Sequence, residues 1–406
     1  MKIQLISQSQ SETSDIESIL KAAMKVPCLL PFDKDVVDFI YDFSKSILLD
    51  KRSRIFPELI VLANFFKMSN LEKIKNELVE SSHFAPRGLV FHIAPSNVDS
   101  IFLYSSLISL LCGNVNLIRL SSKKTDQISY IIEKLNDLYS ALHQKIAGRL
   151  ILISYEHNDA ITTEISKCVH MRVVWGGDET VKKIRSLVLR PTAIELCFPD
   201  RFSVAMLSGD AVLRLDVKSL SELCSRFYND SIWFSQQACS SPRLVCWIGN
   251  SDECSKAREY FWETFTKHLS DREYENSPGM AMDRFVTACL VATESIQCEK
   301  THSPFPARIL LKSQSLGLLR DYHCGNGLFY EQFFPNIFEF FQTLNDRNQT
   351  LSVFGFSLED LIADLKSLPP RSIDRITKIG NALDFDFTWD GVNLLHAFTR
   401  RISVKV

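Results

Sequence analysis

The chain contains no C-x-x-C pair, no H-x-x-x-H spacing and no strand-to-helix turn of the form G-x-G-x-x-G or G-x-x-x-x-G-K-[ST]. Its 11 cysteines are odd in number and scattered from Cys28 to Cys324, which argues against a disulfide framework and a thiolate zinc site and suits a reducing cytoplasm. The nine histidines stand in no ligand cluster, so no catalytic metal is expected. The single G-x-G, at Gly325 and Gly327, has Tyr330 where a dinucleotide fingerprint needs its third glycine. Excess charge is also missing: 46 Lys and Arg face 48 Asp and Glu, and a nucleic-acid or anionic-membrane surface would need a basic surplus. The opening Met1-Lys2-Ile3-Gln4-Leu5-Ile6-Ser7-Gln8 turns polar too soon for a signal peptide, and the apolar stretch Ile101 to Cys112 is too short for a membrane span. The expectation is a soluble protein.

What is present is ample material for a core. A chain of 406 residues, 46% hydrophobic, exceeds what a single core accommodates and should form two lobes. From Gly88 short apolar runs alternate with helical stretches: Leu89 to Ile93, Val115 to Leu120, Arg149 to Ile153, Met171 to Trp175 and Thr192 to Leu196 are separated by helices of about ten residues or more. That alternation predicts an α/β fold with a parallel sheet covered on both faces. The first 80 residues read as helices that pack on or precede the sheet. A second α/β domain spans 201–364, with extended segments at Arg243 to Ile248 and Thr350 to Phe356, while 365–406 reads as a segment returning to the first domain, 1–200, or to a partner subunit.

The chemistry-bearing stretch is Gln236-Gln237-Ala238-Cys239-Ser240-Ser241-Pro242-Arg243, which sets a thiol among small and polar residues after Trp233 and Phe234. A thiolate there could take an acyl group as a thioester. Number alone gives Cys239 no priority over ten other cysteines, which are most often buried core residues. Asn97 lies where a strand hands over to a helix; it is either an N-cap or an oxyanion-hole donor acting with the Cys239 backbone N–H. Glu195 is a carboxylate among Ile194, Leu196, Cys197 and Phe198; it is a strand-end surface group, or a proton-transfer group if it faces an apolar cleft that raises its pKa. Trp175-Gly176-Gly177-Asp178 ends a strand at a position where a nucleotide could meet a helix N-terminus, although a Gly pair there is more often a plain tight turn. Some of the 28 phenylalanines could line an acyl tunnel, against a background of ordinary core packing.

Together, Gly88 to Asn97, Gly113 to Ser122, Val174 to Glu179, the Cys239 segment and Trp389-Asp390-Gly391 resemble the LuxC family of acyl-CoA reductases, which belongs to the aldehyde dehydrogenase superfamily. The resemblance implies an aldehyde-dehydrogenase-like fold with a cofactor-binding and a catalytic domain. It implies that Cys239 attacks a fatty acyl-CoA or acyl-protein thioester, and that nicotinamide hydride reduces the acyl-enzyme to the aldehyde. By the same resemblance Asn97 is the oxyanion-hole asparagine, Glu195 falls near the superfamily's general base, and Trp175, Gly176, Gly177, Arg119 and Ser121 belong to the cofactor site. Arg119 as a cation at the adenosine ribose favours NADPH over NADH. Cys197-Phe198-Pro199-Asp200-Arg201 departs from the family's usual glycine-rich continuation after Glu195. A homo-oligomer and an acyl-protein synthetase partner are further implications. Two other readings compete: oxidation of an aldehyde by an NAD(P)-dependent dehydrogenase, which needs a competent Glu195, and a non-reducing acyl carrier.

Overall fold

The computed structural model describes residues 2–7, 10–79, 83–95, 100–122, 125–141, 143–272, 274, 276–294, 298–302, 305–312 and 321–405. The chain divides into two compact units, Met1–Asp200 with Phe385–Val406, and Arg201–Asp384.

Up to Asp200 the strands of the first unit are β1 (Lys2–Ser7), β2 (Gln10–Asp15), β3 (Phe84–Pro86), β4 (Leu89–Ile93), β5 (Val115–Leu120), β6 (Leu150–Ser154), β7 (Met171–Trp175) and β8 (Ile194–Phe198). Seven of them form one sheet in the order β2-β1-β6-β5-β4-β7-β8, with β4 to β8 mutually parallel. The parallel part starts at central β4, builds outward through β5 and β6, then crosses to β7 and β8, so the order reverses between β4 and β7. Alternate residues leave the sheet on opposite sides. Val90, Ile118, Leu152 and Val173 enter one core with helices Lys34–Leu49 and Ile101–Leu111. Leu89, Phe91, Leu117 and Val174 enter the other with helices Ile16–Lys25 and Asp159–Cys168. Both faces are therefore dry, which explains the near-continuous apolar runs. Buried His92 joins the layers: its Nε2–H donates to Asn116 Oδ1 at 3.0 Å and Nδ1 pairs with Ser105 Oγ at 3.1 Å, and burial pulls its pKa down to about 4, so the ring is neutral.

The hairpin β1–β2, antiparallel to itself and to β6, corrects the all-helical expectation for the first 80 residues. The sequence of β2, Gln-Ser-Glu-Thr-Ser-Asp, lies at the sheet edge and carries no apolar alternation from which a strand could be read. The C-terminal return is held by Asn114, whose Nδ2 donates to Phe398 O at 2.9 Å while its Oδ1 accepts from Arg87 and Gly88 N–H. Strand Thr399–Arg401 then pairs antiparallel with β3.

The second unit contains β9 (Phe202–Ser208), β10 (Pro242–Ile248), β11 (Cys298–His302), β12 (Ala307–Leu311), β13 (Leu328–Phe334), β14 (Asn348–Phe354) and β15 (Arg375–Lys378). Their order is β11-β12-β13-β10-β9-β14-β15, parallel except for β11 against β12. Because β15 pairs with β14, residues 365–384 belong to this unit, and the return begins at Phe385 rather than at 365. Buried Glu331 on β13 accepts from the indole N–H groups of Trp247 (3.1 Å) and Trp262 (2.7 Å) and meets Arg258 at 3.2 Å, which satisfies a carboxylate that burial alone would penalise. Among the described residues no helix is long and apolar enough to cross a membrane.

Asp230, at the end of helix Val217–Ser231, accepts from Gly380 N–H at 2.7 Å and Ala382 N–H at 2.9 Å. Burial pushes its carboxyl up to about 7 against those two donors. A raised acid pKa stabilises the fold fully below the unfolded value of about 4, and that contribution is lost as pH climbs through the folded value. Urea midpoints of the wild type relative to Asp230→Asn should therefore fall between pH 5 and pH 8; parallel profiles would contradict this.

Candidate active site

Because β4 to β8 are parallel, their carboxyl ends share one edge, and the strand-order reversal makes this edge the place where an α/β sheet opens to a ligand. Arg119 stands one residue before the end of β5. Its Nη2 donates to Tyr155 O at 3.3 Å, its guanidinium lies 4.6 Å from the Tyr155 ring centroid, and its Nε is buried without a partner. Ser121 follows on the same edge. Trp175, closing β7, stacks on Phe198 at 3.9 Å and packs near Tyr104 and Trp389; its Nε1 is also buried without a partner. Gly176 N–H donates to Phe198 O at 3.2 Å. Gly177 caps helix Asp178–Arg185 without a side-chain cap bond, and a Cβ there would meet nothing within 4 Å. The edge thus brings Arg119, Ser121, Trp175, Gly176 and Gly177 together. Open space at Gly177, two orphaned buried N–H groups and one cation fit an anionic, ring-bearing dinucleotide. The acidic first turn, Asp178 and Glu179, opposes an anion at that helix end, which leaves Arg119 as the group suited to phosphate.

Asn97 lies outside the described residues. Glu195 does not face an apolar cleft alone, because two guanidinium groups flank it. It sits opposite Arg172 in the β7–β8 register, bonds that buried guanidinium and lies 3.5 Å from Arg185. Arg172 also donates to Ser166 Oγ at 2.9 Å. A surface-only carboxylate is excluded too, because the side chain is 16% exposed.

Cys239 belongs to the second unit, in the loop between helix Val217–Ser231 and β10, and is half-buried. Its carbonyl accepts from Ser203 Oγ at 2.6 Å, and that hydroxyl in turn accepts from Thr350 N–H at 3.2 Å, so β9 and β14 jointly fix the main chain of the cysteine. Upstream, Ser235 (φ 51°) and Gln236 (φ 59°) are both left-handed, a conformation costing about 1–3 kcal/mol per non-glycine residue that persists only when neighbours enforce it. Gly325, Asn326 and Gly327 form the opposing turn with φ of 74°, 57° and 80°. A Cβ on Gly325 would come within 2.6 Å of Ser235 O, and Asn326 N–H donates to that same oxygen at 2.8 Å. The G-x-G is therefore no nucleotide motif in this fold; it clasps the cysteine loop. His323 spans the turn, with Nδ1 accepting from Gly325 N–H at 2.9 Å and Nε2–H donating to Leu328 O at 3.0 Å, and burial holds it neutral by pulling its pKa well below the ordinary value. Sequence reading missed Ser203 and His323, and placed Gln236 in the stretch without a role. The available signal was Gly-Asn-Gly, a composition suited to positive φ.

A family model described as acyl-CoA reductase (LuxC) matches residues 14–276. The chain belongs to the LuxC family of acyl-CoA reductases. A long-chain acyl-protein thioester reductase 2 from Photobacterium leiognathi is 22% identical over 225 residues, 54% of this chain and 44% of that relative; the matched part is thus less than half of the relative's length. Among solved structures, an NAD-dependent benzaldehyde dehydrogenase from Corynebacterium glutamicum is similar over 98% of this chain and 92% of its own, with TM-score 0.66 and 12% identity. A lactaldehyde dehydrogenase from Escherichia coli is similar over 100% and 95%, with TM-score 0.64 and 12% identity. These likenesses establish the aldehyde-dehydrogenase-like fold expected for LuxC proteins.

Replacing Glu195 would strand the buried Arg172 guanidinium. Glu195→Gln is expected to lower unfolding free energy by about 2–3 kcal/mol in urea titrations; an unchanged midpoint would mean that the pair holds nothing.

Proposed function

We propose that this LuxC protein reduces a fatty acyl thioester, carried by CoA or by a protein, to the aldehyde through an S-acyl intermediate on Cys239. The observation that carries the reading is the half-buried Cys239 in a loop whose main chain is fixed by Ser203 and by the turn around Asn326, within a chain of this family. The thiolate adds to the acyl carbon, the bond from that carbon to the carrier sulfur breaks, and the carrier leaves as a thiolate that takes a proton from solvent. A reduced nicotinamide, when bound at the strand-end edge, would supply the hydride that the acyl carbon takes up and would be left oxidised. The resulting hemithioacetal releases aldehyde by breaking the carbon–Cys239 sulfur bond, which regenerates the thiolate. Asn97 and the Cys239 N–H are assigned to the oxygen that turns negative in both additions. Trp175, Gly176, Gly177 and Ser121 are assigned to the cofactor. NADPH is proposed, with NADH as the alternative, because Arg119 is the cation on the strand-end edge; a homo-oligomer and a synthetase that delivers acyl groups complete the reading.

The ion-paired Glu195 favours reduction over aldehyde oxidation, because oxidation requires a base to activate water for hydrolysis of the acyl-enzyme and this carboxylate is engaged by Arg172. We accordingly assign Glu195 to holding Arg172.

Intact-mass spectrometry after incubation with a panel of acyl-CoA thioesters, without nicotinamide, tests the nucleophile. Wild type should gain one acyl group and Cys239→Ala none, with aldehyde appearing from the wild-type adduct on addition of NADPH. An adduct that survives in Cys239→Ala removes Cys239 from the mechanism, and an adduct that NADPH leaves intact points to the non-reducing carrier. For the cofactor, Arg119→Ala should raise KM for NADPH about tenfold, corresponding to about 1.4 kcal/mol, and leave KM for NADH nearly unchanged; equal effects on both would detach Arg119 from the 2'-phosphate.

A further inference from the structure

Gln236 stands three residues before Cys239, and the proposed reaction makes no use of it. Its side chain is completely buried, and a buried amide is kept where its bonds are met. Oε1 accepts from Gly327 N–H at 2.8 Å, and Nε2 donates to Leu328 O and to Pro242 O, each at 3.1 Å. The bond to Pro242 matters most, because it closes the stretch from Gln236 to Pro242 from inside and leaves Cys239 midway along the closed loop. The other two bonds fasten that loop to the start of β13. That anchor is itself rigid: His323 bridges the turn, Arg284 Nη1 donates to Asn326 O at 2.7 Å, and Asn326 Nδ2 donates to Asp283 Oδ2 at 3.0 Å. Without the amide, the main-chain bond from Asn326 N–H to Ser235 O would remain, but the Gln236 side chain would no longer tie the left-handed pair to Pro242 and β13, and relaxation of Gln236 would displace the chain that follows it.

We propose that Gln236 is the positioning residue of the nucleophile, its buried amide closing the Cys239 loop onto Pro242 and the Gly325–Leu328 turn so that the thiol is presented in one place. The inference rests on the assignment of Cys239 as nucleophile. Misplacing a reacting group by about an ångström is enough to lose on the order of 100-fold in rate.

Gln236→Met keeps the volume and removes all three bonds. The single-turnover rate of S-acylation by dodecanoyl-CoA should fall about 10- to 100-fold, while alkylation of Cys239 by iodoacetamide, which needs no bound geometry, stays within about threefold of wild type. Acylation at the wild-type rate, even with a lowered melting temperature, would reduce Gln236 to a stability role and overturn the proposal. Should the Met variant not fold, Gln236→Glu provides the second arm: a protonated carboxyl can still donate one bond and a carboxylate none, so its acylation rate relative to wild type should fall as pH rises, and a flat ratio would overturn the proposal. Cys239→Ala run alongside separates the two failures. Acylation persisting there sinks the nucleophile assignment and the inference with it, whereas an inert Cys239→Ala beside a fully active Gln236→Met sinks the inference alone.

Discussion

Both sheets are parallel in their centres, and in the first unit burial of both faces decides where chemistry can occur. A strand such as β4, buried along its whole length, spends its side chains on two cores and its main-chain groups on two neighbours. Only the ends of such strands retain unpaired donors and room for a ligand. That is why Arg119, Ser121 and Trp175-Gly176-Gly177 collect at one edge although they are far apart in sequence. The helices that cover the faces are equally constrained: all eleven residues of Ile101–Leu111 are buried, which requires the C-terminal return to cover what would otherwise be an exposed apolar helix. Asn114 serves that requirement by bonding the return, the start of β4 and Ser109 at the end of that helix with a single amide.

On the proposed reading, in which Cys239 is the nucleophile, the second unit solves a different problem. A nucleophile must be exposed enough to meet its substrate and fixed enough to meet it at one angle, and a surface loop alone offers only the first. Here the loop leaves a helix through two left-handed residues, is pinned at the Cys239 carbonyl by Ser203 and re-enters the sheet at Pro242. Buried polar bonds fasten that path, so its geometry is specified by direction as well as by distance.

The parallel strands were legible because full burial writes itself as apolar runs; Leu89–Ile93, Val115–Leu120 and Met171–Trp175 fall where the runs predict. The β1–β2 hairpin was not legible, since an edge strand with polar composition carries no periodic signal. The end of the second unit was misplaced because β15, four residues long with half-buried side chains, is a weak strand whose membership is decided by pairing with β14. At the candidate site the candidate residues could be named from sequence, but not their partners. The Arg172–Glu195 pair depends on the register between β7 and β8, and the Gln236 clasp joins positions about 90 residues apart; neither is a local property of the chain.

Glu195 illustrates how such a partner alters a chemical reading. In sequence it is a lone carboxylate among apolar residues, the setting that desolvates an acid and makes it a base. In the fold the buried Arg172 guanidinium lies beside it and engages its lone pairs. An S-acyl enzyme has two principal fates, attack by water or attack by hydride, and they differ in whether a free base is needed. A carboxylate committed to Arg172 weakens the first route without affecting the second. On the proposed reading, the same ion pair that fastens the edge strand β8 to β7 also biases an aldehyde-dehydrogenase-like fold toward releasing aldehyde instead of acid.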